Sequence, residues 1–140
     1  MNLLHNNTLG IDIGSTTVKI AVLDSEQHIL FTDYERHYAN IQETLALLLS
    51  RAKEKLGEMT VSPSITGSGG LTLSGHLNVP FTQEVVAVAT ALQDYAPQTD
   101  VAIELGGEDA KIIYFTGGID QRMNRSEERR VGKECRSRWS

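Results

Sequence analysis

The sequence holds one cysteine, Cys135, among its 140 residues. One thiol forms no internal disulfide and cannot by itself hold a metal cluster, so neither cross-links nor a cysteine cage can organise the chain. No apolar run approaches the roughly 20 residues that span a bilayer, which argues against a membrane partner. The opening stretch MNLLHNNTLG lacks a basic segment followed by a long apolar one. No secretory signal is read there, and a cytoplasmic setting is expected. Basic residues are scarce over most of the chain: seven precede Arg125, against fifteen acidic ones, a balance of -8. Such a surface repels a phosphate backbone, which argues against a nucleic-acid partner for residues 1–124. Two common nucleotide motifs are also missing. There is no Walker phosphate loop, and no glycine-rich dinucleotide fingerprint opens a helix after a strand. What remains is an ordinary globular composition, 40% apolar and 22% charged, long enough for a real core.

The texture changes at Arg125. The last sixteen residues, RSEERRVGKECRSRWS, carry six of the thirteen Lys and Arg, together with Cys135 and the lone Trp139. Apolar periodicity stops there. The stretch resembles the translation of a sequencing-library adapter read through from a truncated gene, so residues 125–140 are expected to be non-native. The alternative is a solvated basic tail.

Before that point the pattern is regular. Residues 8–14 and 17–24 read as β-branched, apolar strands joined at a Gly14-Ser15-Thr16 corner. A third strand spans about 28–37, after a turn at 24–27. Asn40 and Glu43 form a capping-box pattern at the start of a helix. Ile41, Leu45, Leu48, Leu49, Ala52 and Leu56 recur on one helical face, and Gly57 ends it. Residues 61–67 suggest a short strand. The glycine-rich GSGGLTLSGHLNVPF reads as a loop with at most one helical turn. A second helix is predicted over 83–95, with Val85, Val88, Ala89, Leu92 and Tyr95 along one side and Pro97 closing it. DVAIEL and AKIIYF are two further strands around Gly106-Gly107. The order β-β-β-α-β-α-β predicts an α/β fold, a mixed sheet with flanking helices.

The strongest signal is an internal echo. IDIGSTTVKI (11–20) aligns without a gap on IELGGEDAKI (103–112). Asp12 meets Glu104, Gly14 meets Gly106, and Lys19 meets Lys111. Each segment is strand, acid, glycine corner, strand, which points to a duplicated architecture. Glycine lets a backbone approach a ligand closely, and successive turn N–H groups form an anion nest. Ser15, Thr16 and Thr17 add hydroxyl donors. A carboxylate just before the glycine suits a hydrated Mg²⁺ on the bound anion. Two such corners facing each other would clamp a polyphosphate.

These residues resemble the ATPase superfamily of sugar kinases, heat-shock chaperones and actin. GIDIGSTTVKIAVLD, TQEVVAVATAL and AIELGGEDAKIIYF together resemble the BadF/BadG/BcrA/BcrD-type ATPases. The N-terminus and ANIQETL are more similar still to the large acyl-CoA dehydratase activase-related proteins. The resemblance covers residues 1–124. It implies an RNase H-like, actin-like ATPase domain, with a first subdomain over 1–99 and the start of an incomplete second one over 100–124.

By the same resemblance, Asp12 would hold the magnesium shell and also serve catalysis. Gly14, Ser15, Thr16 and Thr17 would bind the β- and γ-phosphates of ATP, and Lys19 would support the hairpin or the phosphate charge. Gly106 and Gly107 would form the second phosphate turn. Glu104, a second metal ligand, stands where the family has Asp, one methylene longer. Glu108 replaces a more usual Gln. Glu84 opens a helix where the superfamily has a glutamate that positions magnesium or the attacking water; its plain alternative is a first-turn acid favoured by the helix dipole.

The family's activators use ATP hydrolysis to drive an electron from a ferredoxin or flavodoxin-type donor to a 2-hydroxyacyl-CoA dehydratase component. They work as homodimers that share a 4Fe–4S cluster. Its cysteines follow RMN in a Gly-Ser/Thr-Cys-Ala-Gly-Gly stretch. Here the chain turns to RSEERR at that point, so the cluster ligands are absent, and the chain is expected to be an inactive fragment on its own. Two rival readings share the phosphate hairpins: an N-acetylglucosamine kinase-like sugar kinase, and a non-enzymatic actin- or chaperone-like nucleotide switch.

Overall fold

The computed structural model describes residues 6–107, 110–115 and 120–122. The chain divides into two compact units, Met1–Glu84 and Val85–Ser140.

In the first unit, alternation of apolar and polar residues sets the strands. β1 (Asn7–Ile13) buries Leu9, Ile11 and Ile13, and β2 (Thr17–Leu23) buries Val18, Ile20 and Val22. A strand's side chains alternate between faces, so this spacing gives each strand one core face. β3 (Ile29–Arg36) pairs with β2 and β4 (Val61–Thr66) pairs with β1, giving the order β3-β2-β1-β4. β1–β2 and β2–β3 are antiparallel, while β1–β4 is parallel and reached through a helix. That mixture is what the strand and helix order predicts.

The connecting helix, α1 (Ile41–Leu56), turns Leu45, Leu48 and Ala52 into the core. Leu48 is fully buried, which stabilises the fold by roughly 2 kcal/mol relative to an exposed side chain. Leu49, expected on the same face, is exposed. Gly57 ends α1, its N–H donating to the Lys53 carbonyl at 2.8 Å. The start differs from the capping-box expectation. Asn40 sits at the N-cap position but its side chain makes no capping bond. Its carbonyl accepts the first helical bond, from the Thr44 N–H at 3.0 Å, and also the Thr44 hydroxyl at 2.7 Å. Arg51, on the outer side of α1, reaches Asp33 at 3.3 Å and Glu35 at 2.9 Å on β3, which ties the helix to the edge strand.

The glycine-rich stretch contains more helix than its composition indicates. α2 (Gly70–Leu77) buries Gly70, Leu73 and Ser74 and ends at a left-handed Asn78. Leucines at 71, 73 and 77 supply helix propensity, and the close fit of Gly70 against Ile65 makes the glycine useful rather than disruptive. Beyond α2 the chain returns along β4: the Ile65 N–H donates to the Pro80 carbonyl, and the Thr82 N–H to the Ile65 carbonyl. This covers an edge that would otherwise present unpaired backbone groups.

The second unit contains α3 (Glu84–Tyr95, its first residue at the division) and an antiparallel sheet ordered β5-β6-β7. Its strands are β5 (Val101–Leu105), β6 (Ala110–Tyr114) and β7 (Asp120–Arg122). Val85, Ala89 and Ile113 are buried. Along β5, Val101, Ile103 and Leu105 are exposed, Leu105 by 79%. β7 lies beyond the two strands expected here. No helix among the described residues is long and apolar enough to cross a membrane. Residues 125–140, and with them the expectation about their origin, lie outside the described residues.

Candidate functional site

The first candidate site is the corner between β1 and β2. The Gly14 N–H donates to the Thr17 carbonyl at 2.9 Å, closing the turn around Ser15 and Thr16. No acceptor among the described residues is bonded to the N–H of Ser15 or Thr16. Two carbonyls of the corner are turned back into the protein. The Gly14 carbonyl lies 3.0 Å from His37 Nε2, and the Thr16 carbonyl accepts the His37 N–H at 3.0 Å. The corner thus turns carbonyls inward and leaves donors unsatisfied, which is the polarity an anion requires.

Beside the corner lies a polar row. Asp12 pairs with Lys19 on β2 and with Thr66 on β4. Partners directly opposite share a sheet face, so this row stands on the face away from Ile11, Ile13, Ile20 and Ile65. Asp12 Oδ1 and Thr66 Oγ1 are buried and have no hydrogen-bond partner among the described residues. A buried polar oxygen without a partner is costly in a folded protein, and a bound cation or water satisfies it.

Gly67 closes this row from above. Its φ is +100°, and a Cβ there would stand 2.3 Å from the Ile13 carbonyl oxygen and 2.6 Å from Asp12 Oδ1. Two residues on, the Gly69 N–H donates to that same Ile13 carbonyl at 2.9 Å. The loop that opens α2 is therefore seated on the end of β1, against Asp12. Tyr38 and Ala39, with φ of +44° and +66°, make the bend behind the corner. Left-handed backbone costs a non-glycine residue about 1–2 kcal/mol, so the bend is held by what surrounds it.

The second hairpin repeats the first in register. Glu104 stands opposite Lys111 and Ile103 opposite Ile112, as Asp12 stands opposite Lys19 and Ile11 opposite Ile20. The gapless alignment of the two segments thus holds as cross-strand pairing. Glu104 is half-buried, while Gly106 and Gly107 are exposed at the turn. Glu108 and Asp109 lie outside the described residues. Glu84 is half-buried at the first position of α3.

The first unit thus brings together Asp12, Gly14, Ser15, Thr16, Thr17 and Lys19, and the second holds Glu104, Gly106 and Gly107 on one hairpin. Sequence reasoning missed His37, Thr66 and Gly67. The signal for Thr66 and Gly67 was present: a glycine directly after a strand that pairs in parallel with β1 lies at the carboxyl ends of the strands, where α/β sheets bind ligands. His37 follows directly on β3, with no local pattern to mark it.

The fold class follows from this arrangement, a mixed sheet with flanking helices and a repeated hairpin: it is an actin-like fold. The chain is similar to component A of the (R)-2-hydroxyglutaryl-CoA dehydratase of Acidaminococcus fermentans, with a TM-score of 0.74 and 23% identity over 86% of this chain and 48% of that one. It is similar to the activator of the 2-hydroxyisocaproyl-CoA dehydratase of Clostridium difficile, solved with bound ADPNP, with a TM-score of 0.69 and 23% identity over 86% and 46%. A ROK family glucokinase from Streptomyces griseus, in complex with glucose and AMPPNP, matches with a TM-score of 0.58 and 19% identity over 86% and 47%. The chain therefore spans about half the length of these structures. No family model matches the sequence, and no curated protein matches it.

Proposed function

We propose that this chain is the phosphate-binding portion of an ATP-dependent activator of a 2-hydroxyacyl-CoA dehydratase. The observation that carries the reading is the corner at Gly14–Thr17, with inward carbonyls and unsatisfied N–H groups, beside a buried Asp12 oxygen that lacks a partner. Gly14, Ser15, Thr16 and Thr17 bind phosphate oxygens of ATP, and Lys19 adds positive charge next to them. Gly106 and Gly107 form a second phosphate turn. The likeness to two dehydratase activators, at higher TM-scores than the glucokinase, favours an activator over a sugar kinase.

A hydrated Mg²⁺ fits the residues present. Asp12 Oδ1 and Thr66 Oγ1 are hard oxygen donors left unsatisfied, and Mg²⁺ typically takes one or two carboxylates plus waters and substrate phosphates. Glu104 is the matching carboxylate of the second hairpin. When bound, the ion neutralises charge on the β- and γ-phosphates. Glu84 orients the attacking water for hydrolysis. The residues present do not fit a 4Fe–4S cluster: it takes four thiolates, and two copies of this sequence would bring only two. In its longer form the protein would act as a homodimer between a ferredoxin or flavodoxin-type donor and the dehydratase component.

The test is a titration of the isotopically labelled chain with magnesium ADPNP, followed by amide chemical shifts. Shifts centred on Gly14–Thr17 are expected. Their absence at millimolar nucleotide would overturn the assignment of the corner, and glucose-dependent phosphoryl transfer by a longer form would move the protein to the kinases.

A further inference from the structure

We infer that His37 is a positioning residue that locks the orientation of two peptide units in the corner, so that their N–H groups face the phosphate. The inference rests on the reading of Gly14–Thr17 as a phosphate corner and names the group that presets it.

His37 grips the corner twice. Its own N–H donates to the Thr16 carbonyl at 3.0 Å, and its ring Nε2 lies 3.0 Å from the Gly14 carbonyl. In a trans peptide the C=O and the following N–H point in opposite directions, and the described chain contains no cis bond. Holding the Gly14 carbonyl toward the imidazole therefore aims the Ser15 N–H away from it. Holding the Thr16 carbonyl does the same for the Thr17 N–H. The lock matters most at Gly14. Glycine crosses easily between backbone conformations, so the Gly14–Ser15 peptide could otherwise flip and turn a carbonyl lone pair toward the anion.

The ring is itself fixed in one tautomer by its two partners. The Ala39 N–H donates to Nδ1 at 3.0 Å, and an amide N–H can only donate, so Nδ1 carries no proton. The Gly14 carbonyl can only accept, so Nε2 carries the proton and donates it. Both demands agree on the neutral Nε2–H form. The Ala39 N–H reaches the ring because Tyr38 and Ala39 take left-handed backbone, and the Asn40 N–H closes the bend on the His37 carbonyl at 2.7 Å. His37 is 7% exposed, so water does not compete for these bonds. The strained bend thus aims the imidazole, and the imidazole aims the corner.

The experiment uses the labelled 140-residue chain and two measurements. Long-range proton–nitrogen spectra report the tautomer of His37, and the Nε2–H form is expected. Titration with magnesium tripolyphosphate, followed at the amides of Ser15, Thr16 and Thr17, reports binding. His37→Asn places its amide too close to the backbone to reach Gly14 and should weaken binding by about tenfold, the loss of one oriented hydrogen bond. His37→Gln carries an N–H at the reach of Nε2 and should stay within about threefold of the parent. An Nδ1–H tautomer, or unchanged affinity in His37→Asn, overturns the inference. So does a tenfold loss in His37→Gln, which also decides the matter if His37→Asn fails to give a folded spectrum. If the parent chain shows no shifts at Ser15–Thr17, the phosphate-corner reading fails, while the tautomer still decides whether the peptide lock exists.

Discussion

Replacing Gly67 by alanine should damage the fold and the site together. The added Cβ would stand 2.3 Å from the Ile13 carbonyl oxygen, where ordinary contacts begin near 3.4 Å, so backbone must move by about an ångström. The native φ of +100° adds a conformational cost of roughly 1–3 kcal/mol for a residue with a side chain. Displacing the Ile13 carbonyl also strains its 2.9 Å bond from the Gly69 N–H, worth about 1 kcal/mol. Together these give a loss of about 3 kcal/mol. For a unit of this size that is a fall in Tm of roughly 12–24 °C. Gly75→Ala is the internal control. It lies inside α2 with nothing within 4 Å of its Cβ position, and it should stabilise by about 0.5–1 kcal/mol. Thermal and urea melts followed by far-UV circular dichroism measure both. A Gly67→Ala protein within 1 kcal/mol of the parent would refute the close approach of this loop to β1.

Three further outcomes follow from the same geometry. Asp12→Asn should leave the ligand-free fold as stable as the parent or up to about 1 kcal/mol more stable, since a buried carboxylate oxygen without a partner becomes neutral. It should also abolish magnesium-dependent nucleotide shifts, and melts with titrations on one sample check both. Leu48→Ala, at a fully buried position, should cost about 3 kcal/mol in urea unfolding. Asp24 gives the pH dependence: the His28 backbone N–H, joined by that of Glu26, holds its carboxyl below the usual carboxylate range. A depressed value means the turn's stabilisation is complete above that range and is lost as pH falls through the depressed value. Amide shifts of Glu26 and His28 should titrate on that acid limb and lose the transition in Asp24→Asn.

The parts of the fold legible in the sequence are those set by local periodicity. Ile11, Ile13, Val18, Ile20 and Val22 announce a two-strand core face, and Leu45, Leu48 and Ala52 a helix to cover it. The hairpin echo was legible because a paired acid and lysine flank each corner. Elements that depend on distant contacts were not. α2 is hidden by three glycines whose fit depends on Ile13 and Ile65. Asn40 follows the residue-type rule for a cap, yet its side chain makes no capping bond; residue type alone does not fix the side-chain orientation that a cap requires. Within the site, Asp12 and the corner could be read because their chemistry is contiguous. His37 could not, because its partners Gly14 and Thr16 lie more than twenty residues upstream and only the β2–β3 pairing brings them to it.

The pairing of Asp12 with Lys19 also ties correct folding to correct chemistry. In a strand, neighbours point to opposite sides, so a slip of β1 by one position against β2 would drive the Asp12 carboxylate into the hydrocarbon interior, away from Lys19, and throw Ile11 and Ile13 into water. A mispaired hairpin with an intact corner is thereby made far too unfavourable to accumulate. Any molecule that has assembled its interior has, by the same act, put its charged groups beside the turn.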